Sequence, residues 1–229
     1  MKNRTYAIMI ALATVVAMLV VGGCKNEPPV AVGGSAPPEE PVVVEPTVDT
    51  PDQPVAVQPE EDTNVTDTIV KIETDKGDII CKLFDEKAPI TAGSFLLLVE
   101  DGFYDGLTFH RVEPGFVIQG GDPDGNGSGG PGFAIPLEVS PELKHAKGLL
   151  SMARTSDPDS AGSQFFICLG NGSAVNFLDM QYAVFGEVTE GIEVVDQIAI
   201  GDVMNKVSVI SAGPHAEAAR AAAKEARIQ

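Results

Sequence analysis

The chain has no tryptophan and only three tyrosines and ten phenylalanines, so aromatics make up 6 % of its 229 residues. Cysteine is scarce as well: Cys24, Cys81 and Cys168, with no CxxC pair. That spacing supports neither a zinc knuckle nor a redox dithiol. The three histidines, His110, His145 and His215, lack partners at metal-ligand spacing. Basic residues are outnumbered, 15 against 33 acids, for a net charge of -18. Such a surface repels phosphate backbones, which excludes nucleic acid as an expected partner. The one long apolar run, Tyr6 to Val21, has 16 residues broken only by Thr14. It falls short of the ~20 residues of a spanning helix. The glycine-rich run after Asp122 lacks G-K-[ST], so it is not a phosphate loop. No cofactor and no metal are expected.

What is present divides into four segments. Residues 1–23 carry a basic start, the apolar run and then small residues, the shape of a secretory leader. The junction Val21-Gly22-Gly23-Cys24 resembles a bacterial lipobox. That resemblance implies cleavage before Cys24 and lipid attachment at its sulfur, anchoring an exported protein to a membrane of the cell envelope, facing the periplasm or the cell surface. Residues 24–68 are rich in proline, with ten acids against one lysine. They bury too little apolar surface to offset ordering entropy, which predicts an extended tether. Residues 69–213 have globular composition and suffice for one domain with one core. Residues 214–229 are Ala-rich and read as a frayed surface helix without chemistry.

Within the third segment, Thr68–Thr74 and Gly77–Phe84 alternate like strands around an Asp75-Lys76-Gly77 turn, predicting a hairpin. Pro89–Glu100 reads as a helix with apolar residues toward one side and Gly102 beyond its end. Further strands are expected at 108–112, 116–119, 133–135, 148–152, 164–169, 183–188 and 207–210, with a second short helix near Ile192 to Ala199. Many short strands around two helices predict a mainly β fold: a closed antiparallel barrel whose open ends the two helices could plug. Cys81 and Cys168 sit in apolar strand-like runs and read as buried thiols.

The stretch Phe109-His-Arg-Val-Glu-Pro-Gly-Phe-Val-Ile-Gln-Gly-Gly-Asp122 is similar to the cyclophilin signature. Leu150-Ser-Met-Ala153, Gly162-Ser-Gln-Phe-Phe-Ile167, Phe177-Leu-Asp179 and Val184-Phe-Gly-Glu-Val188 follow at family spacing. The resemblance covers residues 69 to about 212 and implies a closed eight-stranded antiparallel barrel capped by two α-helices, with peptidyl-prolyl cis-trans isomerase activity and no cofactor. Carried over by position, the catalytic arginine falls on Arg111. The proline pocket falls on Phe116, Val117, Phe166 and Leu178, and the amide contacts on Gln119 and Gln164. Ala153 and Arg154 match the segment whose backbone holds substrate; Phe177 and Tyr182 complete the rim. Many eukaryotic members have Trp, His, Asn and Met where this chain has Phe177, Tyr182, Arg154 and Val117.

These residue types suit the chemistry. Amide rotation is opposed by ~18 to 20 kcal/mol because nitrogen shares its lone pair with the carbonyl. No bond breaks, so neither nucleophile nor metal is needed, only a site that binds the twisted amide better than either planar form. A twisted prolyl nitrogen accepts a hydrogen bond, and an always-charged guanidinium is a suitable donor. Arg111, Phe116 and Gln119 are therefore the expected catalytic set. Strand alternation puts Val117 and Gln119 on one face and Ile118 on the other. His110, of opposite parity to Arg111, is expected as a hydrogen-bonded core histidine. Asp122-Pro-Asp-Gly-Asn-Gly opens like a calcium loop, but position twelve is Phe133, where a glutamate is needed. The expected partners are proline-containing polypeptides, bound by a monomer. An alternative reading is a tethered chaperone that holds proline segments with turnover incidental.

Overall fold

The computed structural model describes residues 66–229. The expected leader, Cys24 and nearly all of the tether lie outside the described residues. Among those described, no helix is long and apolar enough to cross a membrane.

Eight antiparallel strands form one curled sheet. They are β1 (Thr68–Thr74), β2 (Gly77–Leu83), β3 (Arg111–Glu113), β4 (Val117–Gly120), β5 (Leu149–Met152), β6 (Phe165–Cys168), β7 (Val184–Glu190) and β8 (Lys206–Ser211). Their spatial order is β3-β4-β6-β5-β7-β2-β1-β8. The hairpin β1–β2 forms as expected, with Thr74 paired to Gly77 across the Asp75-Lys76 turn. Gly77 takes a φ of +131°, which a side chain would oppose. Along β1 every second residue is buried, and the register sets Val70 beside Cys81 and Ile72 beside Ile79. One face of the hairpin therefore enters the core.

The barrel is open, not closed. β3 and β8 share no ladder; a single bridge, Thr108 to Val203, spans the gap. The stretch expected to be a strand from residue 108 instead forms irregular backbone bonds with the segment before β8. Gly106 N–H donates to Met204 C=O at 2.8 Å and Phe109 N–H to Asp202 C=O at 2.9 Å. Regular pairing begins only at Arg111.

Helix α1 (Pro89–Glu100) has the predicted bounds. Proline stands in its first turn, and the distant Glu138 carboxylate accepts from Ile90 N–H at 3.1 Å and Thr91 N–H at 2.8 Å. These are two of the amides a helix start leaves unpaired. At the other end Gly102 adopts a φ of +69°, and the Gly102 and Phe103 N–H groups close onto Val99 and Leu98 carbonyls, a Schellman ending. The one-sided apolar face expected of α1 is a correction: every residue from Thr91 to Val99 is buried. One side plugs the sheet and the other lies under a third helix.

That helix is α3 (Ala216–Ala226), which stands where a frayed tail was expected. Its small residues Ala216, Ala219 and Ala223 are buried. Backbone approach is so close that a Cβ on Gly93 would lie 2.0 Å from the Ala219 carbonyl oxygen. Arg220 donates to Glu100 through Nε and Nη2, the latter at 2.6 Å. Beyond the helix, Ile228 bridges Ala134 and the Arg227 guanidinium lies 3.9 Å from the Phe133 ring centroid. The tail thus covers α1 and fastens the long β4–β5 connection, giving ordering partners that a short isolated helix lacks. The expected second helix shrinks to one turn, α2 (Ile192–Val195). So α1, α2 and α3 accompany the sheet where two caps were expected.

Candidate active site

The sheet has two apolar faces in use. Toward α1 lies the main core, with Phe95, Tyr104, Phe165 and Phe185 in mutual edge or tilted contact. On the opposite face Val117, Phe166, Cys168, Val175 and Leu178 form a second cluster, with Phe116 and Tyr182 against it. Strand parity separates them: Ile118 belongs to the first cluster, while Val117 and Gln119 line the groove on the second.

Register assembles the polar part. Arg111 on β3 pairs with Gln119 on β4, Gln119 with Phe166 on β6, and Phe166 with Ser151 on β5. Paired residues project to the same side, so four strands deliver one row of side chains to the groove face. Two short 3₁₀ turns, Gly172–Ala174 and Asn176–Leu178, fold over its end and supply Phe177 and Leu178. Phe177 stacks on Phe116 with ring centroids 5.7 Å apart.

The resulting pocket has a volume of about 200 Å³. Arg111, Phe116, Val117, Gln119, Ala153, Arg154, Phe166, Phe177, Leu178 and Tyr182 line it. Of the residues expected from sequence, only Gln164 is not on its wall. Gln164 lines an adjoining cavity of about 490 Å³, which shares Gln119, Ala153 and Arg154 and is walled by the glycine-rich residues 127–133.

A hydrogen-bond chain fixes the guanidinium. Arg111 Nη1 donates to Gln119 Oε1 at 3.0 Å, Gln119 Nε2 to Gln164 Oε1 at 2.9 Å, and Gln164 Nε2 to the Gly129 carbonyl at 2.9 Å. Arg111 Nε and Nη2 both donate to Glu113, at 3.1 and 2.7 Å. Three of the five N–H groups of an arginine are then engaged, and two are left for a ligand. The guanidinium carbon lies 5.8 Å from the Phe116 ring centroid. Glu113 was not singled out in the sequence; its place two residues from Arg111, on the same strand face, was the available signal.

Residues 69–214 match the family described as "Cyclophilin type peptidyl-prolyl cis-trans isomerase/CLD". The chain belongs to the cyclophilin family. It is 45 % identical over 139 residues to a peptidyl-prolyl cis-trans isomerase of Helicobacter pylori, covering 59 % of this chain and 83 % of that one. It is 47 % identical over 137 residues to peptidyl-prolyl cis-trans isomerase B of Bacillus subtilis, covering 59 % of this chain and 92 % of that one. Among solved structures, a cyclophilin type peptidyl-prolyl cis-trans isomerase of Cryptosporidium parvum, crystallised in the presence of the dipeptide Ala-Pro, superposes with a TM-score of 0.58. It shares 33 % identity, and the match covers 63 % of this chain and 99 % of that one.

Behind the pocket this cyclophilin buries a polar trio. His145 stacks on Phe166 at 6.1 Å between ring centroids. Its Nδ1 meets Asp179 Oδ1 at 2.9 Å and its Nε2 meets Ser151 Oγ at 3.0 Å. Ser151 Oγ also donates to the Ala183 carbonyl at 3.0 Å, which accepts Met152 N–H as well. Facing a carboxylate, Nδ1 carries the proton of a neutral ring, and Nε2 and the Ala183 carbonyl then share the single Ser151 hydroxyl proton. Burial accordingly holds the His145 pKa below its ordinary value, against the pull of Asp179. Burial pushes the Asp179 carboxyl up, but the His145 backbone N–H, its ring and Lys144 outweigh it, and the net shift is down.

The cyclophilin signature's His110 departs from expectation. Both ring nitrogens are buried and neither has a hydrogen-bond partner among the described residues. Its acidic neighbour Asp122 is already engaged: that carboxylate accepts N–H bonds from Asp124, Asn126 and Gly127. Burial lowers the His110 pKa, with Asp122 opposing and Arg111 assisting. Cys81 and Cys168 are buried free thiols, as read from their apolar runs, and burial pushes both up to about 12.

Proposed function

We propose that this cyclophilin accelerates cis–trans rotation about X-Pro bonds of exported or envelope proteins and so assists their folding. The single observation that carries the reading is a guanidinium with two unengaged N–H groups, held by Gln119 and Glu113 at the edge of an apolar slot. The slot, floored by Phe166, Val117 and Leu178 and flanked by Phe116, grips the prolyl ring by burying it. Arg111 then donates toward the prolyl nitrogen as it becomes pyramidal, favouring the twisted amide over both planar forms. Gln119 and Gln164 hold the flanking amides so that one side of the bond rotates while the other stays fixed. The Ala153 N–H is already taken by the Gln164 carbonyl at 2.9 Å. Backbone contact to substrate therefore falls to the Ala153 carbonyl and the Arg154 N–H. Phe177 and Tyr182 close the rim.

A ~10⁶-fold acceleration corresponds to about 8 kcal/mol of preference for the twisted state. Arg111→Ala removes the fixed donor, and turnover of an X-Pro peptide by the full chain is expected to fall by about two to three orders of magnitude. The melting temperature should move little, because the side chain is 42 % exposed. Turnover that survives in the purified variant overturns the mechanism.

The same proposal places the enzyme on a membrane through lipid at Cys24, with residues 24–68 as the tether and residues 69–213 as the isomerase, acting as a monomer. The V-G-G-C junction and the proline- and acid-rich composition support it. Metabolic incorporation of a palmitate analogue, lost in Cys24→Ser, is the expected result; incorporation that persists in that variant removes the anchor from the reading.

A further inference from the structure

The two cavities are unequal in charge. In the smaller one Arg111 is neutralised at 2.7 Å by Glu113. In the larger one Arg154 is the only charged side chain on the wall. Among the described residues no carboxylate lies within 4.0 Å of it. The nearest acids in sequence turn elsewhere: Asp157 accepts from Asp159 N–H at 3.0 Å, and Asp159 from Leu137 N–H at 2.9 Å. Arg154 is nevertheless held in place. Its Nε donates to the Gln181 carbonyl at 2.9 Å, its Nη1 to the Thr155 carbonyl at 2.8 Å, and its guanidinium lies 4.7 Å from the Tyr182 ring centroid. Three N–H groups are left over. A fixed, unneutralised guanidinium on the wall shared by two cavities is unusual on a chain with net charge -18. Guanidinium and carboxylate are matched in shape and charge, and a pre-ordered arginine loses little entropy on pairing.

We propose that Arg154 selects acidic substrates: proline-containing peptides that carry a Glu or Asp beside the X-Pro pair, with the carboxylate seated in the larger cavity. This rests on the isomerase reading and specifies its substrate class.

The test uses the full chain and end-capped peptides of the form Z-Ala-Pro-Z′, with Glu, Gln or Lys at Z or Z′ and no other charge. Rates come from exchange between cis and trans signals by NMR, so that no coupling protease contributes its own preference. At about 20 mM salt, kcat/KM for Glu should exceed that for Gln by about three- to tenfold at one of the two positions, with Lys below Gln. The advantage should shrink by about 0.5 M salt, where screening is short-ranged. Arg154→Gln should bring the Glu-to-Gln ratio to about one, Arg154→Lys should keep part of it, and Arg154→Glu should invert it in favour of Lys. A wild-type ratio near one at both positions, or a preference that persists in Arg154→Gln, overturns the proposal while turnover of the Gln peptides still upholds the isomerase. Failure of the wild type on every peptide sinks both. Because each result is a ratio on one protein, a general loss of activity in a variant cannot imitate it.

Discussion

The two faces of the one sheet invite comparison. On the inner face aromatic and aliphatic side chains pack away from solvent; Phe165, Phe185 and Phe95 are almost wholly buried. On the outer face residues of the same types are arranged around a vacancy: Phe166 is buried beneath it, while Phe177 at its rim is 64 % exposed. Neighbours in sequence divide between the two, Phe165 inward and Phe166 outward, Ile118 inward and Gln119 outward. The period of two lets one short strand serve stability and chemistry at once. The difference teaches that the groove is rigid because its back wall is the core.

The comparison is broken most severely from the inner side. Phe165→Ala should cost about 3 to 5 kcal/mol of folding stability, read as a fall in urea midpoint, because a full ring vanishes from a packed interior. Phe177→Ala, the same truncation on the outer face, should leave the midpoint nearly unchanged and raise KM. Equal destabilisation by the two would contradict the division. Gly93→Val addresses the helix layer: the added atoms meet the Ala219 backbone and force α1 and α3 apart, for a loss of about 1 to 3 kcal/mol by overpacking. Amide exchange of residues 216–226 should rise in that variant, and unchanged protection would show that the contact yields elsewhere.

The smallest effect is with pH. His110 and His145 have pKa values held below the ordinary 6.5. Such a group binds more protons when unfolded, so stability rises with pH across the window and is fully present above about 6.5. It is lost as pH falls from there toward the folded values. Asp122 and Asp179, held below 3.8, add a second loss under that pH. Stepwise loss of urea midpoint on acidification is expected, and His145→Gln should flatten the first step. A midpoint constant from pH 7.5 to 5 would contradict the neutral buried ring.

Much of this was legible in the residues. Thr68–Thr74, the Asp75-Lys76 turn and Pro89–Glu100 were readable because alternation, turn chemistry and a proline start agree with the tertiary result. The groove residues were legible through motif resemblance, and strand parity alone separated Gln119 from Ile118. What escaped was set by long-range partners. Glu138 caps α1 from 48 residues away at Ile90. The Ala-rich tail gained its place from Gly93, and a helix with a weak sequence signal became the layer that covers α1. His110 was expected to find a partner, but the loop amides had already claimed Asp122. The open seam between β3 and β8 was equally hidden, since many short strands suggest closure without revealing where irregular backbone substitutes for a ladder.

The order of pairing has a consequence for biosynthesis. Strand β1 lies between β2 and β8, with Val70 set opposite Val209. A growing polypeptide can form the hairpin early, but the edge of β1 stays bare until about 125 further residues have been translated, on the order of 10 seconds at ~5 to 20 residues per second. The bridge from Ala134 to Ile228 waits longer still. During synthesis the nascent β1 edge is therefore an open template for stray pairing for as long as β8 is absent.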